Sequence, residues 1–252
     1  MEFAFDPAWL EAVMLASVRM AMFLVIAPPF SSRAVPARVK AGLAVALGLA
    51  VSPAVVPGYA PPDGAGFLGA LLAEVGTGAL LGFLVYAVFT AVQSAGGLID
   101  LFGGFQLAQA FDPQSMVQGA PFARFFNLAA IALMCSSGAY LVVLMGMFRS
   151  FEAVPLGAGL DVPASTEAVV ESVSGILVSA AQIAGPLVVV LFLADAGLGL
   201  LTRVAPALNA FALGFPLKIL IALGLAGTVF VALPAVVDAL AAAATGAMRK
   251  AG

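Results

Sequence analysis

The sequence predicts an all-α, membrane-associated protein built of long helices that proline and glycine break and that fold in part as helical hairpins. Three observations carry this. The 252 residues are 63% apolar and only 9% charged, with a mean hydropathy of +1.15, whereas soluble domains average about 45–50% apolar and about 25% charged. Charge-free stretches recur at the roughly 20 residues that a helix needs to cross a hydrocarbon core about 30 Å thick. The Ala/Leu/Gly/Val mix lacks the alternating polarity of a barrel, and open strands would leave backbone groups unpaired in lipid.

The apolar segments fall in order at 7–30, 41–62, 75–99, 125–148, 172–194 and 219–237. The first contains Glu11 and Arg19, and its acidic start, MEFAFD, does not predict a cleaved signal peptide. Pro- and Gly-rich connectors separate the segments at 31–40, 57–66, 103–121, 152–166 and 202–216. Cations at 33, 38 and 40 put the first connector on the cytoplasmic side, and the acidic 149–171 region on the other. Alternation returns Arg203 to the cytoplasmic side but sends Arg249 and Lys250 outside, so six simple spans do not satisfy the charge rule.

Polar residues also sit in or beside the apolar runs: Arg19, Glu74, Gln93, Asp100, Gln182, Asp195 and Lys218. A charge at the bilayer centre costs about 2.5–3.5 kcal/mol on insertion scales, so these are expected to face protein or water. Pro28, Pro29, Pro53, Pro186 and Pro234 interrupt the apolar stretches, and Gly78 with Gly82 has the spacing that lets helices approach closely.

Composition removes several function classes. The chain has no histidine and one cysteine, Cys135, which excludes His-based acid–base catalysis, His/Cys metal sites and an intrachain disulfide. Ser136 and Ser137 have no base near them in sequence, so helix packing is their expected role. A net charge of -3 without a basic block argues against a nucleic-acid partner. No catalytic, cofactor or metal residue is predicted.

Three stretches carry information. RAVPARVKAGL (33–43) groups Arg33, Arg38 and Lys40 around Pro36, as either an ordinary cytoplasmic loop or a docking surface for an acidic partner. AVQSAGGLIDLFGGFQLAQAFDP (91–113) opens a connector longer than the usual few residues, either a plain surface loop or a segment lining or obstructing a pore. DAGLGLLTRVAPALNAFALGFPLKI (195–219) turns near Asn209, which would bring Asp195 and Lys218 together as a structural ion pair.

Together the three blocks resemble the FliR family of flagellar type III secretion export-gate proteins, whose relatives include injectisome components. The resemblance rests on Arg33, Pro36, Lys40 and Gly42, then on Gly96, Asp100, Gly104, Asp112 and Pro113. It ends with Gly197, Leu200, Arg203, Pro206, Phe211, Gly214 and Pro216. Ala207, where the family often has glutamine, departs from it. The resemblance implies a FliP-like helical portion (1–171) followed by a FliQ-like hairpin (172–252, turning near 203–217), packed in a helical hetero-oligomer. It implies FliP-like, FliQ-like and FlhB-like partners, unfolded export substrates, and a multi-pass place in the bacterial inner membrane at the flagellar basal body.

The same resemblance makes 103–121 a pore plug, with Gln106, Gln109, Phe111, Asp112, Pro113, Met116 and Gly119 as its residues. Arg33, Arg38, Lys40, Arg203 and Lys218 become candidates for cytoplasmic-side or partner contacts, and Pro36, Gly96, Gly104, Asp195, Pro206, Gly214 and Pro216 become structural positions. The alternative function is a secondary transporter with an intramembrane charged site. It predicts internal repeat symmetry, which the sequence does not display.

Overall fold

Asp-Pro pairings start two of the helices. In α1 (Pro7–Ile26) Pro7 occupies the first helical position and Asp6 Oδ1 accepts from Ala8 N–H at 3.0 Å, a side-chain cap for an otherwise unpaired donor. The helix stops at Ala27, ahead of Pro28 and Pro29, because a residue before proline disfavours helical geometry. The computed structural model describes residues 6–105, 120–205 and 210–251, and among these every regular element is helical.

Next come α2 (Ala37–Val55), a 3-10 turn (Val56–Gly58), α3 (Gly64–Gly103), α4 (Pro121–Ser136), α5 (Ala139–Ala153), α6 (Val162–Val204) and α7 (Ala210–Ala251). Among the described residues five helices are long and apolar enough to cross a membrane, or six crossings if the bent pair α4/α5 counts as one. The expected single run at 125–148 is thus corrected to two helices bent by 76°. Gly138, at φ +78°, precedes the first residue of α5, a conformation that glycine adopts without steric penalty.

The helices also extend into stretches expected to be connectors. Val162 to Thr166 belong to α6, where Asp161 Oδ1 accepts from Ala164 N–H at 3.3 Å and Pro163 lies in the first turn. Residues 210–216 belong to α7, and Pro53, Pro186, Pro216 and Pro234 all lie inside helices that continue through them. At about 1.5 Å per residue, α3, α6 and α7 are each about 60 Å long or more, twice the hydrocarbon thickness.

The chain divides into two compact units. Unit 1 comprises Met1–Val88, Gly138–Val173 and Ala239–Gly252. Its helices pack at glycines: a Cβ on Gly48 would strike Ser17, one on Gly78 the Arg19 carbonyl, and one on Gly82 the backbone of Phe23. The Gly78/Gly82 spacing therefore does bring α1 and α3 to backbone contact.

Beside that contact lies a buried ion pair. Arg19 and Glu74 are both fully buried. Arg19 Nε and Nη2 donate to the two Glu74 oxygens, the second at 2.9 Å. Nη1 donates to the Val154 and Ser150 carbonyls at 2.9 and 3.3 Å, so the guanidinium caps the C-terminus of α5, where a cation is favoured. It also lies 4.3 Å from the centroid of the Phe151 ring. Glu74 Oε1 accepts in addition from Gly157 N–H at 2.8 Å.

Two surface features complete the unit. Lys250 pairs with Glu171 at 2.6 Å, both well exposed, a contact worth about 0–1 kcal/mol. Outside the spanning segments, the Tyr59 hydroxyl donates to Glu11 Oε2 at 3.2 Å. Burial first, then the Glu11 carboxylate, push the Tyr59 phenol above its ordinary value.

Unit 2 comprises Phe89–Ser137 and Ser174–Asp238, with a core that includes Val92, Ile99, Phe126, Met134, Leu187, Leu191 and Leu233. Lys218 and Asp195 form the ion pair expected across the α6/α7 hairpin.

Candidate functional site

The stretch 96–105 and the start of α4 come together in unit 2. Gly96 and Asp100 are four residues apart on α3, hence on one helix face. That face meets the first turn of α4, whose preceding residue, Ala120, supplies no side-chain cap. Asp100 replaces it from a distance. Its Oδ1 accepts from Phe122 N–H at 3.1 Å and its Oδ2 from Ala123 N–H at 2.8 Å. Pro121 has no N–H to satisfy, and Arg124 N–H reaches the Ala120 carbonyl at 3.2 Å. The start of α4 is thus capped by a carboxylate that is fully buried, and the helix dipole favours the negative charge there.

Glycine makes the approach possible. A Cβ at Gly96 would lie 2.5 Å from the Phe122 carbonyl oxygen and 2.7 Å from Ala123 Cα, so only glycine lets the two backbones meet. Gly104 has φ +78°, and a Cβ there would lie 3.0 Å from the Phe215 ring. Aromatic rings continue the contact: Phe105 and Phe122 have centroids 5.2 Å apart, Phe122 and Phe126 6.4 Å, and Phe125 and Phe230 4.6 Å in an edge-on arrangement. The chain leaves at Phe105 and returns at Ala120 within one packed site, so the stem of segment 106–119 is held by a carboxylate, two glycines and a ring cluster.

The residues singled out from the sequence are distributed as follows. Gln106, Gln109, Phe111, Asp112, Pro113, Met116 and Gly119 lie outside the described residues, as does Pro206. Gly96, Asp100 and Gly104 meet at the stem. Gly214 stands against Leu198, with a Cβ there 3.3 Å from Leu198 Cδ1. Arg203 is exposed in the last turn of α6, Lys218 is bound to Asp195, and Pro216 is inside α7.

In unit 1, Pro36 is the N-cap of α2, Arg33 and Arg38 are exposed, and Lys40 is half-buried. Of the polar residues expected to avoid lipid, Arg19, Glu74 and Asp100 are buried, whereas Gln93, Gln182 and Asp195 are exposed on the single chain. The sequence does not reveal Phe122, Ala123, Phe215 or Phe230 as parts of the stem. The only cue is the spacing of Phe122, Phe125 and Phe126, which places one apolar stripe on α4.

Residues 10–244 match the model of a protein family described as bacterial export proteins, family 1. The chain belongs to this family. Export proteins similar to it include the flagellar biosynthetic protein FliR of Escherichia coli (strain K12), 29% identical over 86% of this chain and 84% of that protein. FliR of Bacillus subtilis (strain 168) is 30% identical over 82% of each chain. The Yop proteins translocation protein T of Yersinia pestis is 34% identical over 72% of this chain and 70% of that one. Membership of the export family does not favour the transporter alternative, and the stem lies within the part that matches it.

Proposed function

We propose that the chain is a subunit of the flagellar type III protein export gate, that it helps form the pore for unfolded substrates, and that segment 106–119 plugs it. The observation that carries the plug is the stem at Asp100: both ends of the segment are pinned within one site, so the segment can be displaced without its anchors coming apart. Its length also exceeds what a simple turn needs. Phe111 and Met116 are suited to seal an apolar constriction, and Met adapts to irregular surfaces. Opening is then a population shift driven by substrate or a partner, and the chain works by packing and gating rather than catalysis.

The complex is proposed to sit in the bacterial inner membrane at the flagellar basal body, with FliP-like, FliQ-like and FlhB-like partners. Arg33, Arg38 and Lys40 support one contact. They surround the N-terminus of α2, where the helix dipole disfavours cations, and none forms an ion pair among the described residues. An acidic partner surface would offset that charge.

The test follows from the closeness of the stem. Replacing 106–119 by a short flexible linker is expected to leave the complex assembled, as judged by co-purification, and to raise ion conductance across vesicles holding it. A deletion complex that stays ion-tight and exports normally refutes the plug.

A further inference from the structure

A groove of about 860 Å³ opens in unit 1 between α5 and the last turns of α7. Its walls are mostly apolar, with Leu141, Val142 and Met145 on one side and Met248 on the other. Leu141 and Met145 are more than half exposed, an arrangement that invites an apolar occupant. Three charged residues also line it: Arg149, Arg249 and Glu152. Two cations less one carboxylate leave a charge of +1. Neither arginine has an ion-pair partner among the described residues, since Lys250 and not Arg249 takes Glu171.

We propose that this groove binds an anionic phospholipid, with the phosphate held by Arg149 and Arg249 and an acyl chain lying along Leu141 and Met145. α7 qualifies as membrane-spanning by itself, and α5 does so together with α4 as a bent pair. Arg249 lies in the last turn of α7, and Arg149 stands just before the last turn of α5, near helix ends where a headgroup would meet a chain crossing the bilayer. Guanidinium matches phosphate geometry in a bidentate manner. Glu152 argues for a ligand with one compact anion: an acidic helix, with carboxylates spread along it, would meet that side chain as well.

The chain co-purified with its sister subunits is offered phosphatidylglycerol and phosphatidylcholine of identical acyl chains in equal amounts, and retained lipid is weighed by native mass spectrometry. Phosphatidylglycerol is expected to be retained about tenfold better, and the Arg149→Gln, Arg249→Gln double variant to lose about that factor. Both side chains are exposed, and unchanged thermal unfolding of the variant checks that the fold survives. Equal retention of the two lipids, or undiminished retention by the variant, overturns the proposal. A photo-cross-linking residue at Met145 provides a second measurement: a lipid adduct supports the assignment, and an adduct to a sister subunit alone overturns it. Neither readout depends on whether the complex exports.

Discussion

Arg19 and Glu74 illustrate what a single side chain can do in this protein. Removing one partner leaves a charge buried without compensation, which costs about 3–5 kcal/mol, whereas removing both leaves only the dipolar groups unpaired. Arg19→Leu and Glu74→Leu are each predicted to lower the unfolding temperature of the co-purified complex steeply. The double variant should fall well short of the summed loss, because the Ser150, Val154 and Gly157 groups alone remain to be satisfied. Additive losses in that cycle would mean that the two residues do not act as a pair.

Sequence made both charges conspicuous, since each stands alone in an apolar run. It did not join them, because 55 residues separate them and no periodicity links positions so far apart. By contrast, the hairpin turn between Asp195 and Lys218 made their pairing legible.

At the scale of elements, Asp100 joins two helices that are not joined by secondary structure. Asp100→Ala is expected to leave the Phe122 and Ala123 donors unsatisfied, at a cost of about 1–3 kcal/mol. Hydrogen exchange at residues 122–124 should accelerate, with Asp100→Asn intermediate. Unaltered exchange in the alanine variant would show that the cap contributes nothing. The apolar segments were legible because membrane-length hydropathy is a strong signal. The break inside 125–148 was not, because the bend needs only a glycine at positive φ and no change in composition. The helix starts at Val162 and Ala210 are not legible in the sequence, because proline reads as a breaker there, whereas Pro163 is tolerated in the first turn of α6 and Pro216 is accommodated inside α7.

For the whole molecule, helices about twice the hydrocarbon thickness carry exposed apolar residues such as Leu177, Leu220 and Val231, at 72%, 71% and 84% exposure. Lipid can cover only part of such lengths, so sister subunits are expected to cover the rest. The chain should be monodisperse only when co-expressed with the proposed FliP-like and FliQ-like partners, as size-exclusion chromatography would reveal. A stable, monodisperse lone chain would contradict this. The Arg19 network also imposes an order on biogenesis. At about 5–20 residues per second of synthesis, Glu74 follows Arg19 by roughly 3–11 s, and the Ser150 and Val154 carbonyls, 131 and 135 residues downstream, come later still. The first helix therefore emerges with an uncompensated guanidinium and cannot settle into its final surroundings until most of the chain has been made.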